Sequence, residues 1–233
     1  MLGVWVNFAT VVIGGLVGTL LRGGIKEKYR QTINVGLALF VLLIGMSGAL
    51  KTQNEMLVIV SIVIGCVAGE MLRIENGLDH LGEWAQQRFA KDDTGFASGF
   101  INATLLFCVG AMAVVGSLKA GLENDSSTLL AKAALDGVSS IIFASSFGIG
   151  VVFAAIPLTI YQGGIALLSG VLAPYLTEAL INEMSAVGSI LIIALSLNML
   201  ELTKNRIRVG NMLPAILVPC IYMPVANWLT SMF

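Results

Sequence analysis

The chain is a succession of apolar runs, each near the thickness of a bilayer's hydrocarbon core, divided by short charged segments. A spanning helix needs about 20 predominantly apolar residues, with a range of about 17–25. Residues 3–21, 33–50, 56–72, 96–118 and 185–203 each meet that requirement between charged borders. Residues 211–232 form a further apolar run. Its prolines, Pro214, Pro219 and Pro224, predict a kinked or interrupted helix. From 129 to 175 the only charged residues are Lys132 and Asp136, and the stretch is too long for one span. Dividing it near Pro157 brings the expected count to eight. The fold class that follows is all-α, a polytopic membrane helical bundle.

Composition closes off the alternatives. Hydrophobic residues make up 57% of the chain and charged residues 12%, where soluble domains carry about 25% charged. With a net charge of −1 there is no basic footprint for nucleic acid. Disordered, collagen-like and disulfide-scaffold classes are excluded as well. Cys66, Cys108 and Cys220 lie far apart without a CxxC pair, and His80 is the only histidine. No metal and no cofactor are therefore expected, and the cysteines read as small buried apolar residues. The first apolar run lacks a basic leading segment and reads as a retained span, not a cleaved signal peptide.

Charge in the loops sets the orientation. With the N-terminus outside, ten of the 13 basic residues fall on the cytoplasmic side. They are Arg22, Lys26, Lys28 and Arg30, then Arg73, Arg88 and Lys91, then Lys204, Arg206 and Arg208. Lys51, Lys119 and Lys132 fall outside. The positive-inside rule thus favours both termini outside. Residues 73–94 are the one sizeable polar stretch. Leu78, Leu81, Trp84 and Phe89 recur there among charged residues, predicting an amphipathic helix along the cytoplasmic surface. His80 in that segment reads as a solvated interfacial residue.

The chain echoes itself. Val35-Gly36-Leu37 opens the second span and Val187-Gly188-Ser189 the seventh, and a Gly-Gly pair (Gly14-Gly15, Gly163-Gly164) lies upstream of each. Farther on, Ile64-Gly65-Cys66 parallels Val218-Pro219-Cys220. An offset of five spans reverses orientation, so the expectation is an inverted repeat. Residues 1–72 form the first copy, 73–95 the amphipathic linker, 96–156 the central spans and 157–233 the inverted second copy. Such repeats exchange inward-open and outward-open shapes about a midplane site flanked by broken helices. The expected breaks are at Ser145–Gly150, Pro157–Gly164 and Pro214–Pro224. Glycine stripes at Gly14/Gly18 and Ser61/Gly65/Gly69 suit packing within the chain or between copies in a homo-oligomer, and both stay open.

Ionisable groups at membrane depth are functional hypotheses by default. Asp136 leads, with Lys132 one helical turn earlier, so the two can pair on one face. The carboxylate could serve a proton or a sodium ion, with Lys132 as its exchangeable partner; the alternative is a self-neutralised anchor. Neutral candidates are Asn102, Ser145, Ser146, Gly148, Gly150, Tyr161, Gln162, Gly163 and Asn198. Tyr161-Gln162 directly before Gly163 joins an aromatic, an amide and a helix-weakening glycine in one place. No HExxH, GxSxG or P-loop is present, so the chain does not read as an enzyme.

Several runs in order carry a family resemblance. They are Phe107-Cys108-Val109-Gly110-Ala111-Met112, Lys132 with Leu135-Asp136-Gly137, Phe143-Ala144-Ser145, Gly148-Ile149-Gly150-Val151, Tyr161-Gln162-Gly163, Ala186-Val187-Gly188 and Leu213-Pro214-Ala215. Together the chain resembles the bacterial membrane-protein family catalogued as domain of unknown function 554. At the start, Gly3-Val4-Trp5-Val6-Asn7 departs from that family's usual Gly-Thr-Leu-Ile-Asn. The resemblance implies a bacterial inner-membrane protein grouped with transporters, and it brings no substrate and no assigned catalytic residue. The functional expectation is a secondary transporter of a small solute or ion, coupled to protons or sodium. A channel or pore, or a non-transporting structural or regulatory subunit, is the alternative.

Overall fold

The computed structural model describes residues 1–24, 27–90, 93 and 95–223, and every regular element among them is a helix. In chain order these are α1 (Leu2–Arg22), α2 (Glu27–Ala49), α3 (Glu55–Leu72), α4 (Ile74–Phe89), α5 (Phe96–Cys108) and α6 (Ala111–Leu122). They continue with α7 (Ser127–Phe147), α8 (Gly150–Phe153), α9 (Ala155–Leu167), α10 (Ser169–Leu172) and α11 (Glu178–Met199), and close with a 3-10 helix, Val209–Leu217. Six helices are long and apolar enough to cross a membrane, and α5 with α6 forms a seventh passage bent by 63°. The last segment, Val209–Met223, is shorter. Its 3-10 winding rises about 2.0 Å per residue against 1.5 Å for an α-helix. The short segment therefore still runs from Asn211, against Gly69 near the end of α3, to Tyr222 and Met223, beside Leu57 and Val58 near its start. The described residues therefore hold six or seven candidate passages where eight are expected, because this last segment is too short to count as a span. Pro224 and the rest of the predicted last span lie outside the described residues.

The structure corrects three boundaries. The long stretch divides at Gly148, not Pro157. Gly148 has φ 83°, a left-handed conformation that glycine adopts without a Cβ clash, and it ends α7. Pro157 instead occupies the first turn of α9, where a missing N–H removes no helical bond. Pro157–Gly164 is accordingly continuous helix and not a break. The expected single span 96–118 is itself broken, at Val109 and Gly110, where Gly110 takes φ 128°.

Small residues set the helix pairs. Gly3, Gly14 and Gly18 of α1 lie against Leu129, Gly137 and Ile141 of α7 in the same order, so α1 and α7 run parallel with their backbones touching. Gly45 and Gly48 of α2 meet Ser189 of α11, and Ser196 Oγ donates to Ala38 O at 2.6 Å, an antiparallel pair. Gly65 and Gly69 of α3 receive Ala215 and Asn211 of the 3-10 helix. The glycine stripes thus serve packing within the chain. Without a hydrophobic force between helices in lipid, such close approach and interhelical hydrogen bonds carry association. Large apolar side chains face outward instead: Leu20 is 81% and Ile160 70% exposed.

Two ends can be told apart. Arg22, Asp93, the Gly148 turn and the Arg206–Arg208 segment gather at one, the basic end. At the other, Gly3 N donates to Ser126 Oγ, and Glu183 accepts from Thr52 Oγ1 and Gln53 N. The predicted amphipathic helix is present as α4, with Leu81 and Trp84 exposed. It leaves α3 through a sharp corner at Arg73, φ 53°.

Candidate functional site

Four polar side chains from three helices meet inside the bundle. Lys132 Nζ donates to Asp136 Oδ2 at 2.5 Å along α7, as their spacing predicts. Asn7 of α1 gives the same oxygen a second donor, Nδ2, at 3.0 Å, and reaches Gln162 Oε1 of α9 at 3.2 Å. Asn7 and Gln162 are fully buried and Lys132 and Asp136 only 6% exposed. A buried ion pair is tolerated only when close and further hydrogen-bonded, which Asn7 provides. Asn7 Oδ1 and Gln162 Nε2 are buried with no partner, so the network holds spare hydrogen-bonding capacity at membrane depth.

The pair borders a cavity of about 600 Å³ toward the end opposite the basic loops. Its polar lining comes from Lys132, Asp136 and Ser139 of α7, Ser47 of α2, Lys51, and Asn182, Ser185 and Ser189 of α11, but apolar side chains such as Leu43, Phe107, Met112 and Leu135 form most of its surface. A second cavity of about 380 Å³ lies at the basic end, lined by Asn34, Ser98, Asn102, Asn198, Glu201 and Arg206. Asn34 Oδ1 is buried there without a partner. Asn198 is committed to the fold: its amide donates to Ile207 O and accepts from Ile207 N, both at 2.8 Å, holding the loop after α11.

The same four helices, α2, α5, α7 and α11, line both cavities. Between them lies an apolar layer containing Leu37, Val41, Leu106, Phe107, Phe143 and Ile192. The layer is thin. On α5, Asn102 faces one cavity and Leu106 the other, about 6 Å of helix rise; on α11, Ile192 and Asn198 are separated by about 9 Å.

An ionic clasp borders the basic-end cavity. Arg206 pairs with Glu75 at 3.4 Å and Asp79 at 3.3 Å. Glu75 also accepts from Gly210 N at 2.5 Å and donates its own N–H to Asn211 Oδ1. Burial pushes the Glu75 carboxyl above its usual range, against the lowering effects of the Gly210 hydrogen bond and Arg206. Glu70 accepts from Arg208 Nη1 and Asn211 Nδ2.

The sequence candidates fall into three groups. Lys132, Asp136 and Gln162 come together in the buried network, and Asn102 and Asn198 share the basic-end cavity. Ser145, Ser146, Gly148 and Gly150 belong to neither cavity. Ser145 Oγ donates to Ile142 O, Gly148 turns the chain beside Arg22, and Gly150 packs on the Phe96 backbone. Tyr161 lines a separate apolar groove, and Gly163 is buried with Val4 in van der Waals reach of where a Cβ would stand. Sequence reasoning passed over Asn7, although its place on the Gly3–Gly14–Gly18 face was a usable signal. Asn34 and Ser139 are polar residues within the spans that the candidate set likewise leaves out, and Arg206 reads from sequence only as a loop charge. Among the described residues no group of three or more His, Cys, Asp or Glu side chains is placed to hold a metal ion.

Two curated relatives match along essentially their whole length. The Uncharacterized membrane protein YdfK of Bacillus subtilis strain 168 is 31% identical over 231 residues, 97% of each chain. The Uncharacterized protein YqgA of Escherichia coli strain K12 is 29% identical over 238 residues, 100% of this chain and 99% of its own. No solved structure matches. The model of one family covers residues 2–224, and the chain belongs to that family, described as Protein of unknown function (DUF554).

Proposed function

We propose that this membrane protein is a secondary transporter of a small solute, and not an enzyme, seated in the bacterial inner membrane with both termini outside. One observation carries the reading: a polar cavity at the basic end and a largely apolar cavity holding the Lys132–Asp136 pair nearer the other end are lined by the same four helices, and only a thin apolar layer separates them. A small shift of those helices would thin the layer from one side and close the other cavity, which is the geometry alternating access uses. The helix pairing supports an inverted repeat as part of this reading: α2 lies antiparallel against α11 and α3 against the 3-10 helix, each beside the segment that its sequence echoes.

Asp136 is the coupling group in this reading. While its carboxylate is ionised it holds Lys132 and Asn7. A proton or sodium ion arriving at Asp136 frees the Lys132 ammonium for a solute and loosens the Asn7 and Gln162 tie to α1 and α9. Arg206 and its clasp would guard the inner cavity.

Reconstitution into liposomes tests this. A thermal-shift screen first finds the solute, since a ligand at about 100 times its Kd adds about 2.7 kcal/mol to stability. Uptake should then saturate and follow a proton or sodium gradient, and Asp136→Asn should abolish the gradient dependence while leaving binding. Uptake by that variant that still tracks the gradient removes Asp136 from the role. Unsaturating conductance in planar bilayers would make the protein a channel instead.

A further inference from the structure

An apolar groove of about 500 Å³ runs along the outside of the bundle, from Leu78 and Leu81 at the basic end to Leu172 and Leu176 at the other. It adjoins the cavity that holds the Lys132–Asp136 pair. The two share Val109, Gly110 and Ser185 as a common wall. Val109 and Gly110 form the unwound joint between α5 and α6, and Gly110 has nothing within 4 Å of where a Cβ would stand. The groove and the charged cavity therefore meet at Val109, Gly110 and Ser185 of α11, and at Gly110 no side chain stands between them.

The charge in that cavity is positive on balance. Lys51, Lys132 and Asp136 are the charged residues lining that cavity; Asp136 neutralises Lys132, and Lys51 leaves a net positive charge. The first turn of α6, Ala111 to Ala113, also lines it, adding the positive end of a half-helix dipole. An anionic head is favoured on one side of the joint, and on the other a volume fitting one small ligand's apolar body. Resting on the transport reading above, we propose that the solute is a free single-chain anionic amphiphile, a carboxylate bearing one alkyl chain. The head binds beside Lys132 and Lys51 and the chain passes Gly110 into the groove. The broken helix is the lateral portal through which the tail stays in an apolar medium while the head changes sides.

The test uses the full chain in nanodiscs of zwitterionic lipid with a twelve-carbon carboxylate carrying a terminal diazirine. Photolabel is expected on groove residues such as Leu176 and Leu217, competed at least tenfold better by dodecanoate than by butyrate or by a dodecyl ammonium salt. Lys51→Gln, at an exposed position, should weaken that competition by about tenfold, and Cys108→Trp should empty the groove of label. If Cys108→Trp does not fold, the chain-length and head-charge dependence in the unaltered protein decides alone. Three results overturn the proposal: competition indifferent to chain length or head charge, label spread evenly over all lipid-facing helices as ordinary bilayer lipid gives, or a groove closed to the probe by a cross-linkable second copy. Failure here with Ser139→Cys and Ser98→Cys still reactive from opposite sides removes the amphiphile and leaves the transport reading. Groove labelling without that two-sided reactivity does the reverse.

Discussion

Lys132 and Asp136 can be weighed against each other by a double-mutant cycle. Their side chains are 8% and 9% exposed and 2.5 Å apart, so little solvent screening applies. Breaking a buried pair by removing one member costs about 3–5 kcal/mol, whereas replacing both with apolar groups is often close to neutral. The structure makes the two single changes unequal. After Lys132→Met the carboxylate keeps the Asn7 Nδ2 donor at 3.0 Å, which places the loss near the lower figure, about 3 kcal/mol. After Asp136→Leu the ammonium loses the carboxylate it donates to, and the loss moves toward about 5 kcal/mol. The double variant should return to within about 1–2 kcal/mol of the starting protein. Reversible unfolding in bicelles, monitored for all four proteins, gives the coupling energy directly. A coupling below about 1 kcal/mol, the range of solvent-exposed pairs, would refute a buried, mutually dependent pair.

Other consequences follow from single contacts. Gly18→Leu drives a side chain into the Ile141 carbonyl of α7 and should cost about 3 kcal/mol, while Gly36→Ala, with open space around it, should gain about 0.5–1 kcal/mol of helix propensity; the same unfolding assay reads both. Because burial raises the Glu75 carboxyl, the folded state holds its proton to higher pH than the unfolded chain does. Stability should fall as pH climbs from the ordinary glutamate range, about 4.3, through the raised value, and level off above it. Glu75→Gln should flatten that slope in melting curves taken across pH. Asn198→Leu strands the Ile207 backbone groups and should cost about 1–3 kcal/mol, with faster amide exchange in the loop that follows α11.

What the sequence made legible was local. The i,i+4 spacing of Lys132 and Asp136 placed them in contact, the apolar residues among charges in 73–94 gave α4, and Gly65 with Gly69 marked a packing face. The unread features depend on distant chain. Val109–Gly110 carries no proline, and a lone glycine in an apolar run breaks a helix only where its surroundings demand it. Pro157 looked like a breaker because sequence alone does not say which turn of a helix it will occupy. Asn7 reaches Asp136 across 129 residues, and its amide is indistinguishable in sequence from one that merely ties helices together. The serines at 145 and 146 drew attention by composition, yet they lie at the end of α7, where the chain turns.

The claim on which the rest depends is that two aqueous cavities face opposite sides across a closed apolar layer. Single cysteines at Ser139, Ser98 and Phe143, in a background lacking Cys66, Cys108 and Cys220, test it with membrane-impermeant thiol reagents in sealed vesicles of each orientation. Ser139→Cys should react only from the side opposite the basic loops, Ser98→Cys only from the basic side, and Phe143→Cys from neither. Phe143→Cys reacting from both sides at once would mean a continuous pore, and a Ser139→Cys silent from both would mean that the cavity beside Asp136 holds no water.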